Sequence, residues 1–322
     1  MKEKKHYQYI DRMKGFTMLL VVIGHVVAFS FEQKGSPIGM GISSFHMPLF
    51  IFLSGLVIST PPHLLKIVKI TCRFMVPMLF VGLLFTLFIH ESPKGFFMNS
   101  AKYGYWYLQV LTTFYITMSL FNINKNRLLA VDLLLAVVIW GLFWIGSKTA
   151  RQDNDVLCLI NCKLLWPYFV FGFLCNQHRQ LIDILCHTRT YSIAFVLTIA
   201  TLYLYIAEGF SPIRYAVPTV AIITCLYLFR MREQKDSAAE RQLSFFGRHS
   251  LIIYIFHYFF IYNIHFEGLG SWFERTGNWM VEFFLCCIMA FLVSYLSIFL
   301  GLTMEKGLFL RTIFLGKFPQ FK

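Results

Sequence analysis

Lys14-Gly15-Phe16-Thr17-Met18-Leu19-Leu20-Val21-Val22-Ile23-Gly24-His25 is one apolar run bounded by a lysine and a histidine. At about 100° per residue, eleven steps come to about 1100°, or three turns plus about 20°. Lys14 and His25 therefore share one helix face, roughly 16 Å apart along the axis. Asp11, three residues before Lys14, lies on the same face. A histidine inside a membrane helix is costly, which makes His25 a functional-site candidate by default.

The run belongs to a chain of 322 residues that is 57% hydrophobic and 14% charged, with a mean hydropathy of +0.62. Soluble domains carry about 25% charged residues. The composition is that of a polytopic membrane protein. Ten apolar segments can be read, near 15–31, 45–60, 70–90, 103–121, 128–146, 156–175, 190–207, 213–229, 250–266 and 279–302. Against the roughly 17–25 residues a span needs, the second and eighth read as short. The expected fold is all-α, about ten transmembrane helices in one membrane domain, 1–322. No internal repeat is evident.

The net charge of +13 reflects topology rather than nucleic-acid binding. Twenty-one of the 29 Lys and Arg residues fall in the N-terminus, the even-numbered loops and the C-terminus. Seven fall in the odd-numbered loops, and Lys163 lies inside the sixth segment. This bias predicts that both termini are cytoplasmic. The longest loop, about 230–249, reads as solvated and cytoplasmic, a candidate contact for anionic lipids. Seven of the eight cysteines lie in apolar segments, where they act as small hydrophobes. No metal spacing or disulfide framework appears, so no metal is expected.

With this topology several helices bring polar or aromatic groups to the depth of His25. His46, Phe50 and Ser54 follow i, i+4, i+8 on the second segment. Tyr103, Tyr105, Trp106 and Tyr107 open the fourth. Asn161, Lys163 and Trp166 lie in the outer half of the sixth. Tyr254 and His257 share a face of the ninth. Each also has a simpler reading. Lys14 serves as a snorkelling anchor, and His46 and Trp106 as interfacial residues. His257 makes a helix–helix hydrogen bond, and Ser54-Gly55 allows close helix approach. Lys163 should face the protein interior and find a partner.

The motifs resemble the acyltransferase 3 family of integral membrane acyltransferases, over nearly the whole length. Tyr9-Ile10-Asp11-Arg12-Met13-Lys14-Gly15 followed by Leu20 through His25 is similar to that family's opening motif, a basic residue and then histidine after ten positions. Phe45-His46-Met47-Pro48-Leu49-Phe50-Ile51-Phe52-Leu53-Ser54-Gly55 resembles its second-helix signature. Lys69 through Arg73 with Pro77, Trp106-Tyr107-Leu108, and Ser250 through Tyr254 with His257 resemble further elements. Lys14 stands where arginine is common, so a bidentate contact would be lost. The short length resembles the fucose O-acetylase-like branch.

The resemblance implies acyl transfer, usually acetyl, from cytoplasmic acetyl-CoA to a hydroxyl of a cell-envelope or exported carbohydrate, in the cytoplasmic (inner) membrane. His25 is then the expected general base, with Lys14 and Asp11 beside it. An apolar site limits thioester hydrolysis. Lys66, Lys69 and Arg73 are expected to meet the phosphates of acetyl-CoA. His46, Phe50, Ser54, Trp106, Lys163, Tyr254 and His257 are expected around the acceptor. A transporter or lipid-linked sugar flippase is the rival reading, since it too would use intramembrane His and Lys.

Overall fold

The computed structural model describes residues 7–33, 35–208 and 211–318. Its elements are helices: α1 (Gln8–His25), α2 (Pro37–Leu56), α3 (Leu64–Phe88), α4 (Pro93–Met98), α5 (Trp106–Met118), α6 (Leu129–Ser147), α7 (Leu159–Gln177), α8 (Arg179–Leu185), α9 (Thr188–Glu208), α10 (Ala216–Met231), α11 (Ala238–Arg248), α12 (Ser250–Ile261), α13 (Glu267–Thr276), α14 (Trp279–Glu305) and α15 (Leu308–Leu315). Among the described residues eight helical stretches are long and apolar enough to cross a membrane. Their exposed faces are apolar: Leu134, Val137 and Leu142 on α6, Ile193 and Val196 on α9, Phe284 and Ile288 on α14. So much exposed hydrocarbon is untenable in water and suits a lipid surface. The protein is an all-α, multi-pass membrane protein.

Two of the ten apolar segments form shorter helices. α5 has 13 residues, because Lys102 and Tyr103 adopt positive φ and break the chain before Trp106. α12 has 12, because the segment leaves the helix after Ile261. The second and eighth segments, expected to be short, are instead full length, at 20 and 19 residues. α2 begins at Pro37, whose fixed φ suits a first helical turn. The small residues in its first turns are packed: Gly39 lies against Val27, and Gly41 against Ile206.

The chain forms two compact units. The first comprises Met1–Leu53 and Gln180–Ile298. In it α1 packs against α10, α11 and α12, and α9 against α10. The second comprises Ser54–Arg179 and Phe299–Lys322. There α3 packs on α5 and α15, and α7 on α5 and α6. A knot precedes α7: the Asp155 carboxylate accepts from the Leu159 and Ile160 N–H groups. Buried Lys102 donates to the carbonyls of Phe97, Asn99 and Asp155.

The stretch 230–249 is not an open loop. Ser237 and Glu240 form a reciprocal capping box that starts α11. α11 then lies directly on α1. A Cβ at Gly15 would overlap the Leu243 carbonyl, and one at Gly247 the Asp11 carbonyl. Buried Arg12 secures the same junction, donating from Nη1 to the Arg232 carbonyl and from Nη2 to the Lys235 carbonyl, at 2.6 and 2.7 Å. The Arg232 Nε donates to Glu240 at 2.9 Å.

The Ser237 backbone N–H, with Arg232 adding to it, holds the Glu240 carboxyl at a pKa of about 2. That is below the ordinary glutamate value of about 4.3. A depressed pKa stabilises the fold above the unfolded value, and the contribution is lost as pH falls through the folded one. Glu240→Gln is therefore expected to lower the thermal midpoint in detergent at pH 7, by an amount that shrinks as pH falls from about 4 towards about 2 and vanishes below it. Equal midpoints at pH 7 would show that the clasp does not contribute.

Candidate active site

α1 carries Asp11, Lys14 and His25 on one continuous helix, and His25 is its last α-helical residue. Val26–Ser30 widens into a π-helical turn. Such single widened turns occur often at functional sites. Where the geometry changes, the His25 ring meets α12. Its Nε2 lies 2.9 Å from the Tyr258 hydroxyl. Its ring centroid is 4.8 Å from that of Tyr258 and 5.3 Å from that of His257, with the two imidazoles stacked at 30°. Phe29 closes one side at 5.6 Å. His46 of α2 lies within electrostatic range of His25.

The hydrogen bonds fix two tautomers. A carbonyl oxygen only accepts, so a ring nitrogen bonded to one must carry the proton. His257 Nδ1 therefore donates to the carbonyls of Ile253 and Tyr254, at 3.0 and 2.9 Å. Its Nε2 is left as a buried lone pair with no hydrogen-bond partner among the described residues. His46 Nδ1 likewise donates to the Ile42 carbonyl at 2.7 Å, which leaves its Nε2 as the basic nitrogen. His25 differs: its hydrogen bond is made by Nε2, to a side chain on another helix. The Tyr258 hydroxyl can donate to Nε2 or accept from it, so the half-buried His25 ring keeps both tautomers.

Tyr254 also stands beside this cluster, its ring 6.0 Å from His257. The residue that bonds His25, however, is Tyr258, which the sequence reading passed over. Tyr258 follows Tyr254 by four positions, so the helical period already placed it on the same face as Tyr254. The π-helical turn had no comparable sequence signal. Phe50 is half-buried on α2, one turn beyond His46.

The other sequence candidates belong to the second unit. The Ser54 hydroxyl lies 3.0 Å from the Tyr107 hydroxyl. Gly55 stands directly on the Phe169 carbonyl, so the small pair here does permit close helix approach. Trp106 opens α5, its ring 6.3 Å from that of Tyr107. The Lys163 carbonyl accepts from the Trp140 indole at 2.9 Å, and its ammonium has no ion-pair partner among the described residues. Lys66, Lys69 and Arg73 follow i, i+3, i+7 on α3, exposed on one face. Gly316, at φ +61°, sits against the Arg73 carbonyl and seats the end of α15 there. No cluster of three or more His, Cys, Asp or Glu residues suited to a metal ion occurs among the described residues.

No curated protein and no solved structure matches the chain at a significant level. Residues 7–299 match the family described as Acyltransferase domain (Acyl_transf_3), a region that holds α1 through α13 and most of α14. A match over nearly the whole chain, in a multi-pass helical protein with a histidine pair and a tyrosine gathered at the end of α1, makes this chain a member of that family and a membrane acyltransferase.

Proposed function

We propose that the protein transfers an acetyl group from acetyl-CoA to a hydroxyl of a cell-envelope or exported carbohydrate. The observation that carries this reading is the His25 imidazole, oriented through Nε2 by Tyr258 and stacked on His257. In the proposed reaction His25 Nδ1 takes the proton of the acceptor hydroxyl as its oxygen attacks the thioester carbonyl carbon. The tetrahedral intermediate collapses with cleavage of the C–S bond. The imidazolium then returns the proton to the departing thiolate, giving the ester and free CoA. A histidine suits both transfers, because its ordinary pKa lies near neutrality. Lys14, on the same helix, and Asp11 beside it supply charge along the donor's path.

Lys66, Lys69 and Arg73 are proposed to hold the donor's phosphates. Their charges form one exposed stripe, and a guanidinium pairs well with phosphate. His46, Phe50, Ser54, Trp106, Lys163, Tyr254 and His257 are assigned to the acceptor's side. Placement in the cytoplasmic membrane with both termini inside follows from the distribution of Lys and Arg. That places the α3 stripe on the side where acetyl-CoA is made. Within the family, the fucose O-acetylase-like branch is the one proposed. Membrane lipids are the remaining partners.

The test is donor turnover in sealed vesicles with labelled acetyl-CoA and host surface glycans as acceptor. Label should enter ester linkage only when the donor is on the face bearing Arg73. Arg73→Ala should raise the donor KM about tenfold or more, as expected for a lost hydrogen bond to a charged group, with kcat little changed. Glycan movement across the membrane without donor consumption would favour a flippase. An unchanged donor KM would remove Arg73 from the donor site.

A further inference from the structure

His25 stands where α1 passes from covered to open. Val26, Val27 and Ser30 of the π-helical turn are buried, Gly24 and His25 are half-buried, and Ala28 and Phe29 are exposed. At i, i+1, i+4 and i+5, Gly24, His25, Ala28 and Phe29 share one face. The widened turn is closed by the Phe31 N–H, which donates to the Val26 carbonyl, five residues back, at 3.1 Å. The flank of the imidazole towards α12 is closed, because His257 and Tyr258 are buried. The open side of the ring continues onto Ala28 and Phe29.

That open patch holds one large ring among small residues. Phe29 is 44% exposed. Its ring centroid is 5.6 Å from that of His25, at 33°, and 6.2 Å from that of Tyr258, edge to face. Gly24 and Ala28 carry nothing that reaches over the imidazole, and a Cβ at Gly24 would meet only Ile42, at 3.5 Å. An exposed phenylalanine on a membrane protein is ordinarily a lipid contact. The position of Phe29 sets it apart. A hydroxyl within hydrogen-bond reach of the His25 ring brings the rest of its molecule over the ring that lies against that imidazole.

We infer that Phe29 is the platform on which the acceptor's sugar ring stacks, beside the small Ala28. The face of an aromatic ring carries partial negative charge. The C–H bonds of a pyranose, polarised by its oxygens, turn partial positive charge towards such a face, and the hydroxyls around its rim stay free to reach His25. The substrate class that follows is a pyranose with an uninterrupted C–H face next to the hydroxyl that is acetylated. The inference rests on the carbohydrate-acyltransferase reading and adds a substrate-binding residue to it. Phe29 sets where the hydroxyl sits and takes no part in proton transfer.

The experiment uses the full-length protein in nanodiscs, labelled acetyl-CoA, and host surface glycan freed of its esters by mild base. Glycan binding without donor is measured by calorimetry, and acetyl transfer separately. Phe29→Ala and Phe29→Leu should each weaken glycan binding and raise the acceptor KM about two- to tenfold, the span of one aromatic stacking contact, with kcat and donor KM little changed. Phe29→Trp should keep both within about twofold of the wild type. Ala28→Leu, an apolar change that a lipid contact would accept, should also raise the acceptor KM. The thermal midpoint should hold in all four variants, because both positions are exposed. A wild-type acceptor KM in Phe29→Leu or in Ala28→Leu would overturn the platform and mark the patch as a lipid contact. A chain that transfers acetyl equally well with Phe29→Ala rejects this inference alone. One that binds glycan through Phe29 but never consumes acetyl-CoA rejects the proposed function alone, and one that neither binds glycan nor transfers acetyl rejects both.

Discussion

His25→Ala is expected to reduce acetyl transfer by about 10²–10⁴-fold, the usual cost of losing a general base. Insertion and folding should be unchanged, because the ring is half-buried and its hydrogen bond is to one hydroxyl. Tyr258→Phe should cost up to about tenfold, since one hydrogen bond of about 0.5–1.5 kcal/mol orients the ring. The loss should appear in kcat with little change in the donor KM. Lys14→Arg should retain much of the activity, because its charge survives, and Lys14→Ala should not. Moving the imidazole one residue on, in His25→Ala/Val26→His, turns it about 100° or less about the axis, into a site that Val26 fills completely. That variant should stay inactive. If His25→Ala keeps most of its activity while His257→Ala abolishes it, the unpaired Nε2 of His257 is the base and the roles exchange.

Gly247→Ala is expected to be among the most destabilising single-methyl changes in the first unit. A Cβ there falls on the Asp11 carbonyl, and neither backbone can yield without separating α1 from α11. Overpacking a filled interface costs about 1–3 kcal/mol, occasionally more, and a backbone clash belongs at the upper end. Gly15→Ala meets the Leu243 carbonyl in the same way and should match it. Gly141→Ala is the control. It lies within α6 with no neighbour within 4 Å of the added carbon, so removing a helical glycine there should be neutral or stabilising. Thermal midpoints of the three variants in detergent decide the matter. Equal midpoints for Gly247→Ala and Gly141→Ala would mean that the α1–α11 contact does not hold the unit together.

Much of the fold was legible because hydropathy is a one-dimensional signal. The apolar segments and the all-α class follow from composition and span length, and Lys14 and His25 fall on a single helix as their spacing predicted. The departures arise where local backbone geometry overrides hydropathy. α5 starts late because Lys102 and Tyr103 turn at positive φ. α2 starts early because glycines, polar by hydropathy, serve as contact points. The stretch 230–249 carries enough charge to read as solvated, yet Ser237-Ala238-Ala239-Glu240 spells a capping box that marks a helix start. In the candidate site, His25 and His257 were readable as costly polar residues in apolar runs. The stacking of the two rings, the bond from His25 to Tyr258 and the His257 tautomer set by backbone carbonyls were not. Each depends on which faces of separate helices meet, and a single chain's pattern does not encode that.

The backbone-to-backbone seat of α1 on α11 has a consequence for how the protein responds to its lipid. A membrane helix held only by its flanking anchors adjusts to bilayer thickness by tilting or sliding. Here the half of α1 that carries Asp11 and Lys14 is keyed to an amphipathic helix that does not itself span, with Arg12 bolted to the carbonyls beyond it. The position of His25 is thus measured from a protein ledge, α11, rather than from the hydrocarbon. In thinner or thicker bilayers the His25 imidazole is therefore expected to keep its height relative to α11.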